Sequence, residues 1–97
     1  LVGLFGEKPR DVLKLKYPDF VSVSPDGMLL ASVGNDLSVR IWNVADGSLV
    51  REWPAHERFI YSVLFHPSGE FLLTGDLVGV VKQWKIATGE LVRTFDA

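Results

Sequence analysis

The stretch Gly-Ser-Leu-Val-Arg at residues 47–51 returns 42 residues later as Gly-Glu-Leu-Val-Arg at residues 89–93, and this repetition decides the fold. When residues 19–53 are superposed on residues 61–95 without a gap, 11 of 35 positions are identical. Ordinary composition would give roughly two identities. A fixed period of this length is typical of proteins built from repeated supersecondary units, each of which needs neighbours to bury its faces.

Each copy contains four short apolar segments. Residues 38–44 alternate strictly between apolar and polar side chains, and residues 29–33 form the short apolar run typical of a strand buried on both faces. Pro, Gly and Asp or Asn separate the segments and favour tight turns. The segments recur about every ten residues, and none has the pattern of a helix. The predicted strands are 20–23, 29–33, 38–44 and 49–53, followed by 60–65, 71–74, 80–86 and 91–95.

These segments predict an all-β protein made of antiparallel four-stranded units. We predict one unit, blade one, over residues 19–54 and a second, blade two, over residues 55–97. Residues 1–5 have the pattern of residues 91–95, so residues 1–18 are predicted to hold the outer strand of a preceding blade and an inserted loop. The expected architecture is therefore two blades plus one leading outer strand.

Composition and charge exclude several classes of function. The net charge is −2, hydrophobic residues make up 47% of the chain, and there is no cysteine. This charge gives no basic footprint for nucleic acid. No apolar run is long enough to span a bilayer, and no basic segment precedes an apolar one as in a secretory signal. We expect a cytoplasmic protein that binds neither nucleic acid nor membrane.

Two motifs give the repeat a family resemblance. Ser-Pro-Asp-Gly at residues 24–27, Asp-Leu-Ser-Val-Arg-Ile-Trp-Asn at residues 36–43, and the series from His56 to Trp84 together resemble the WD-repeat family. The resemblance covers residues 19–97 fully and residues 1–18 loosely. It implies a β-propeller, in which four-stranded blades surround a central channel. It also implies a scaffold that presents rigid loop surfaces to protein partners.

The resemblance further implies a buried polar network in each blade, formed by a His, a Ser or Thr, an Asp and a Trp that satisfy one another. Neither blade has all four residue types in place, because Lys14 stands at the His position of blade one and Val78 at the Asp position of blade two. We expect either slightly weaker blades or substitute partners, such as Asp76 for His56. The network residues are Ser32, Asp36 and Trp42 in blade one and His56, Thr74 and Trp84 in blade two.

The residues that could support catalysis have simpler structural interpretations. His56 could be a metal ligand or a general base, but its motif position favours a structural role. His56 and His66, with only Glu57 and Glu70 near them, do not match a structural zinc site. There is no phosphate-binding loop and no nucleophile elbow, so we predict no catalytic residue, metal site or cofactor. Three aspartates lie in predicted turns, where local hydrogen bonding favours them: Asp26, Asp36 and Asp46.

The surface positions that could bind a partner follow from the resemblance. In the family, such positions flank the start of each blade's first strand and precede the aspartate of its second turn. Phe59, Tyr61 and Leu77 would form an apolar patch there, because exposed aromatic residues are enriched at interfaces. Burial of Phe59 and Tyr61 under a neighbouring loop is an equal alternative. The six candidate positions are Tyr17, Asp19 and Asn35 in blade one and Phe59, Tyr61 and Leu77 in blade two.

Two blades leave long faces and strand edges uncovered. Because the chain also begins with Leu1 rather than Met, we expect it to be part of a longer propeller. Self-assembly of three or four copies into a ring is the alternative. The predicted function is a non-catalytic scaffold segment that binds a protein or peptide, together with further blades. The alternative function is a regulatory or substrate-targeting propeller domain attached to an enzyme elsewhere in the polypeptide.

Overall fold

The computed structural model describes residues 20–34 and 36–95, which form two four-stranded antiparallel meanders. In each meander, neighbouring strands along the chain pair with one another, so the order is β1-β2-β3-β4 in blade one and β5-β6-β7-β8 in blade two. The described residues contain no helix that is long and apolar enough to cross a membrane. The strands are β1 Phe20–Val23, β2 Leu29–Val33, β3 Ser38–Asn43, β4 Leu49–Pro54, β5 Ile60–Phe65, β6 Phe71–Asp76, β7 Val81–Lys85 and β8 Leu91–Phe95.

Local hydrogen bonds shape the turn between the first two strands of each blade. In blade one, the Ser24 hydroxyl donates to the Asp26 carboxylate (2.6 Å), and the Met28 amide donates to the same oxygen (2.9 Å). Gly27 follows with φ of 76°, a left-handed conformation that glycine adopts without steric strain. In blade two, His66 takes the place of Ser24, and its Nδ1 accepts from the Ser68 amide (3.0 Å). Different side chains therefore produce the same turn.

The main core lies between the two blades. β1 and β2 of blade one pack against β5, the innermost strand of blade two. The contact removes a continuous apolar surface from water. Its fully buried members include Val39 and Ile41 of blade one and Ile60 and Leu72 of blade two. A second cluster of Leu30, Trp42 and Val44 lies on the opposite face of blade one. The blades are thus stacked face to face.

Blade two has a bulge at the start of its first strand. The β5–β6 pairing shifts between Ile60 and Ser62, so Tyr61 is an extra residue without a partner on β6. Gly75 faces Ser62, and a Cβ on Gly75 would lie only 2.8 Å from the Ser62 hydroxyl. In blade one, Val33 pairs with Phe20, and the residues equivalent to Ile60 and Tyr61 lie outside the described residues. A bulge of this kind bends the strand and redirects a side chain.

The predicted strand positions agree with the structure to within two residues. β6 is longer than predicted, because Gly75 and Asp76 continue its ladder to β7 and β5 instead of starting the turn. The predicted leading strand at residues 1–5 and the inserted loop lie outside the described residues.

Candidate functional site

A buried polar network joins the segment before β5 to strands β6 and β7 of blade two. Nδ1 of His56 lies 2.8 Å from Oδ2 of Asp76, and Nε2 lies 2.7 Å from Oγ1 of Thr74. Nε1 of Trp84 donates to the same Thr74 oxygen at 2.9 Å. Nδ1 carries a hydrogen, because the carboxylate that faces it can only accept. Both ring nitrogens of His56 and the indole N–H are therefore satisfied inside the blade.

Asp76 is the anchor of this network. Its second carboxylate oxygen accepts from the backbone amides of Val78 (3.0 Å) and Val80 (3.1 Å). Burial raises the pKa of Asp76, but the hydrogen bonds from His56, Val80 and Val78 outweigh it and hold the pKa below the ordinary value of 3.8. Asp76 is therefore the substitute partner of His56 that was predicted from the sequence.

Blade one contains only part of the network among the described residues. Nε1 of Trp42 donates to the Ser32 hydroxyl at 2.9 Å, as in blade two. Asp36, predicted to be a member, contacts neither residue: its carboxylate pairs with the guanidinium of Arg40 at the surface and accepts from the Ser38 amide. The structure differs from the prediction at this residue, because Asp36 lies in an exposed turn beyond the end of β2.

The network has the hydrogen-bond order of a nucleophilic triad, carboxylate to imidazole to hydroxyl. Its geometry nevertheless prevents that chemistry. Thr74 is 1% exposed, and its hydroxyl oxygen already contacts both His56 and the indole of Trp84. A substrate carbonyl has no path to this oxygen. The part of the chain that the structure describes also contains no group of three or more His, Cys, Asp or Glu that could hold a metal ion.

The exposed end of the two blades carries an aromatic cluster formed by Phe20, Phe59 and Tyr61. The ring centroids of Phe59 and Tyr61 are 5.4 Å apart, and Phe20 lies 6.5 Å from Phe59 and 6.4 Å from Tyr61. Tyr61 is 47% exposed and Phe20 37%. Leu77, 53% exposed, is joined to Phe59 by a bond from its amide to the Phe59 carbonyl (2.9 Å). The predicted patch of Phe59, Tyr61 and Leu77 is thus spatially continuous.

The rings touch edge to face, at interplanar angles between 61° and 87°. This geometry is favourable for aromatic pairs and leaves no gap for a cation between the rings. The aromatic cluster is therefore an apolar surface against which a partner side chain can pack, and it differs from an aromatic cage.

Sequence reasoning missed Phe20, which belongs to blade one and meets the blade-two residues only after the blades stack. A usable signal was its place immediately after Asp19, one of the predicted positions. The remaining blade-one candidates, Tyr17, Asp19 and Asn35, lie outside the described residues.

A groove of about 210 Å³ lies next to the aromatic cluster, since its lining includes Arg58, which precedes Phe59. Lys82 contributes its ammonium group, which donates to the Ala55 carbonyl (2.8 Å) and lies 5.8 Å from the Trp84 ring centre. The groove is lined by Glu57, Arg58, Asp76, Val78, Val80 and Lys82.

Two antiparallel four-stranded meanders that stack face to face, each with a tryptophan bonded to a buried hydroxyl, define a protein built from β-propeller blades. The model of the WD40 family, "WD domain, G-beta repeat", matches residues 14–43 and 47–85. The chain belongs to this family, whose domains generally mediate protein–protein interaction.

Individual relatives support the same assignment. The chain is 29% identical over 76 residues to eukaryotic translation initiation factor 3 subunit I of Pyricularia oryzae. The aligned region covers 78% of this chain and 22% of that protein. It is 43% identical over 53 residues to a coronin-like protein of Saccharomyces cerevisiae, covering 52% of this chain and 8% of the relative. The crystal structure of the RRP9 WD40 repeats superposes with a TM-score of 0.75 at 22% identity, over 80% of this chain and 24% of that one. The chain thus spans less than a quarter of each relative's length.

Proposed function

We propose that this chain is a non-catalytic segment of a WD-repeat scaffold and that it binds a protein or peptide partner through the aromatic cluster and Leu77. The observation that carries the proposal is the exposure of Tyr61 and Leu77 beside two further aromatic rings at one end of the stacked blades. Aromatic residues of this kind are enriched among the residues that dominate binding energy at interfaces.

Two further features support a binding role for this end of the blades. The bulge in the β5–β6 pair directs Tyr61 towards Phe20, whose ring centroid lies 6.4 Å away. The close approach of Gly75 to Ser62 accommodates it. By contrast, the polar groups that might have served catalysis are buried and hydrogen-bonded to one another. His56 and Asp76 therefore stabilise blade two, and the apolar surface at its end stays exposed.

The proposal is tested by selecting binders for the full-length protein from a displayed library of random dodecapeptides. The dissociation constants of enriched peptides are then measured by calorimetry. In the double variant Phe59→Ser, Tyr61→Ser, we expect affinity to fall at least about thirtyfold, because the loss of two aromatic anchors removes most of the apolar contact. Peptides that bind the double variant as tightly as the parent would overturn the proposal.

The matched control is Met28→Ser. Met28 is a large exposed apolar residue in the β1–β2 turn, at the opposite end of blade one from Phe20. We expect this variant to keep the parent affinity. Circular dichroism and a thermal melt of each variant separate a lost contact from a lost fold, which matters because Phe59 is half-buried.

A further inference from the structure

Arg40 of blade one and Lys82 of blade two are equivalent cations with different neighbours. In blade one, Arg40 on β3 is neutralised by two acids: it pairs with Asp36 in the adjacent turn and with Glu52 on β4, the latter at 2.8 Å. Lys82 lies 42 residues later at the equivalent place on β7. Val78 and Thr94 stand where those two acids would be. Blade two therefore keeps the cation and lacks both of its partners.

The groove leaves the charge of Lys82 available. Its ammonium has three hydrogens, of which one bonds to the Ala55 carbonyl. The carboxylate of Asp76 is occupied by His56 and by two backbone amides. Glu57, the other acid of the groove, is exposed and forms no ion pair with Lys82 or Arg58 in the described part of the chain.

Arg58 adds a second cation to the groove and links it to the aromatic cluster. Among the residues that the structure describes, its guanidinium donates only to a backbone carbonyl, that of Glu57 at 3.4 Å. Arg58 directly precedes Phe59 in the chain. The groove therefore adjoins the aromatic cluster, and its lining carries two cations, Arg58 and Lys82, beside two acids, Glu57 and Asp76.

The distance between the two parts sets the spacing that a ligand needs. Tyr61 is on β5 and Lys82 is on β7, two strands apart in the same sheet. Neighbouring strands are about 4.8 Å apart, and Lys82 is level with Val63, two residues along β5 from Tyr61, so the two backbone positions are roughly 12 Å apart. An extended peptide covers most of that length in about three residues.

Resting on the proposed function, we infer that the partner segment is an acidic peptide in extended form. A carboxylate side chain of the segment binds Lys82 and Arg58 in the groove. An apolar side chain about three residues away packs on the aromatic cluster. The charge complementarity follows from the two unpaired cations, and the apolar anchor follows from the exposed rings.

The dodecapeptide selection on the full-length protein also tests this inference. We expect the enriched peptides to carry Asp or Glu about three residues from Leu, Phe or Trp. Replacing that acid in the tightest synthetic peptide by its amide should weaken binding about fivefold or more, and added sodium chloride should weaken it further, because exposed charges are screened. In the protein, Lys82→Gln should cause a similar loss, and Lys82→Arg should retain most of the affinity.

Two further variants give matched controls. Lys85→Gln makes the same chemical change at the other end of β7, in an exposed residue outside the groove, and should leave affinity unchanged. Val78→Asp supplies an acid at the place where blade one has Asp36. Since Val78 is exposed, this change should leave the fold intact while neutralising Lys82 and weakening the acidic peptide as much as Lys82→Gln does.

The outcomes separate this inference from the proposed function. Enriched apolar peptides without an acid, lost on Phe59→Ser, Tyr61→Ser but unaffected by Lys82→Gln, would overturn the acidic partner and keep the aromatic cluster as a binding surface. Acidic peptides that bind equally well to Lys82→Gln and Val78→Asp would also overturn it. A selection that enriches nothing would count against both proposals.

Discussion

Blade one and blade two follow the same 42-residue pattern but place their charges differently. Both contain a tryptophan whose indole N–H donates to a buried hydroxyl at 2.9 Å. In blade two, hydrogen bonds continue from this hydroxyl to His56 and from His56 to Asp76. In blade one, the aspartate Asp36 lies on the surface beside Arg40.

In blade one the motif aspartate lies at the surface and Lys14 stands at the His position, so the two blades differ in both the acid and the imidazole. In blade two the acid comes from the last residue of β6, two positions earlier than in the turn of blade one. From there it reaches His56 and the turn amides together. One consequence is that Lys82 loses its surface acid and becomes available to a ligand.

Among substitutions that test this difference between the blades, Asp76→Ala should cause the largest loss of stability. The change leaves the buried N–H of His56 and the amides of Val78 and Val80 without their acceptor, so it should lower the free energy of unfolding by about 3 kcal/mol or more. Asp36→Ala removes an exposed acid and should cost less than about 1 kcal/mol. Urea-induced unfolding of the two variants measures both values. Equal losses would show that blade two gains nothing from its internal carboxylate.

The strands were predictable because alternation and turn residues are local properties of the sequence. The bounds of β2 agree with the prediction, since Gly27 and Gly34 lie close to its two ends, and β5 ends as predicted just before Pro67. The bulge at Tyr61 was not predictable, because it depends on how closely Ser62 approaches Gly75 across the ladder.

The candidate site was predictable only in part, for a related reason. Phe59, Tyr61 and Leu77 could be located from the repeat positions, but the contribution of Phe20 depends on contact between blades. The unpaired state of Lys82 became visible only when its surroundings were compared with those of Arg40. Relations between blades are set by packing, which the repeat pattern does not encode residue by residue.

A smaller effect is expected from the two tryptophans that meet across the blade interface, Trp53 and Trp84, whose ring centres are 5.6 Å apart. Nε1 of Trp84 bonds to Thr74, whereas the buried Nε1 of Trp53 has no acceptor within the described part of the chain. Replacing each by Phe removes the same ring volume. Trp84→Phe should therefore cost about 1 kcal/mol more than Trp53→Phe in urea unfolding, the net value of one hydrogen bond. A larger loss at Trp53 would mean that packing outweighs the indole bond.

The smallest effect is a dependence on pH that follows from Asp76. Because its pKa in the folded chain lies below the ordinary 3.8, the ionised carboxylate stabilises the fold above about pH 4, and this contribution is lost as the pH falls through the folded pKa. The difference in urea midpoint between the parent chain and Asp76→Asn should therefore narrow below about pH 4.

Asp26→Asn is the comparison in blade one, since hydrogen bonds from the Ser24 hydroxyl and the Met28 amide also lower the pKa of Asp26. That carboxylate is exposed, so water already solvates it and its variant should show a weaker trend. If the two variants had the same pH profile, burial of Asp76 would add nothing to the energetic role of its carboxylate.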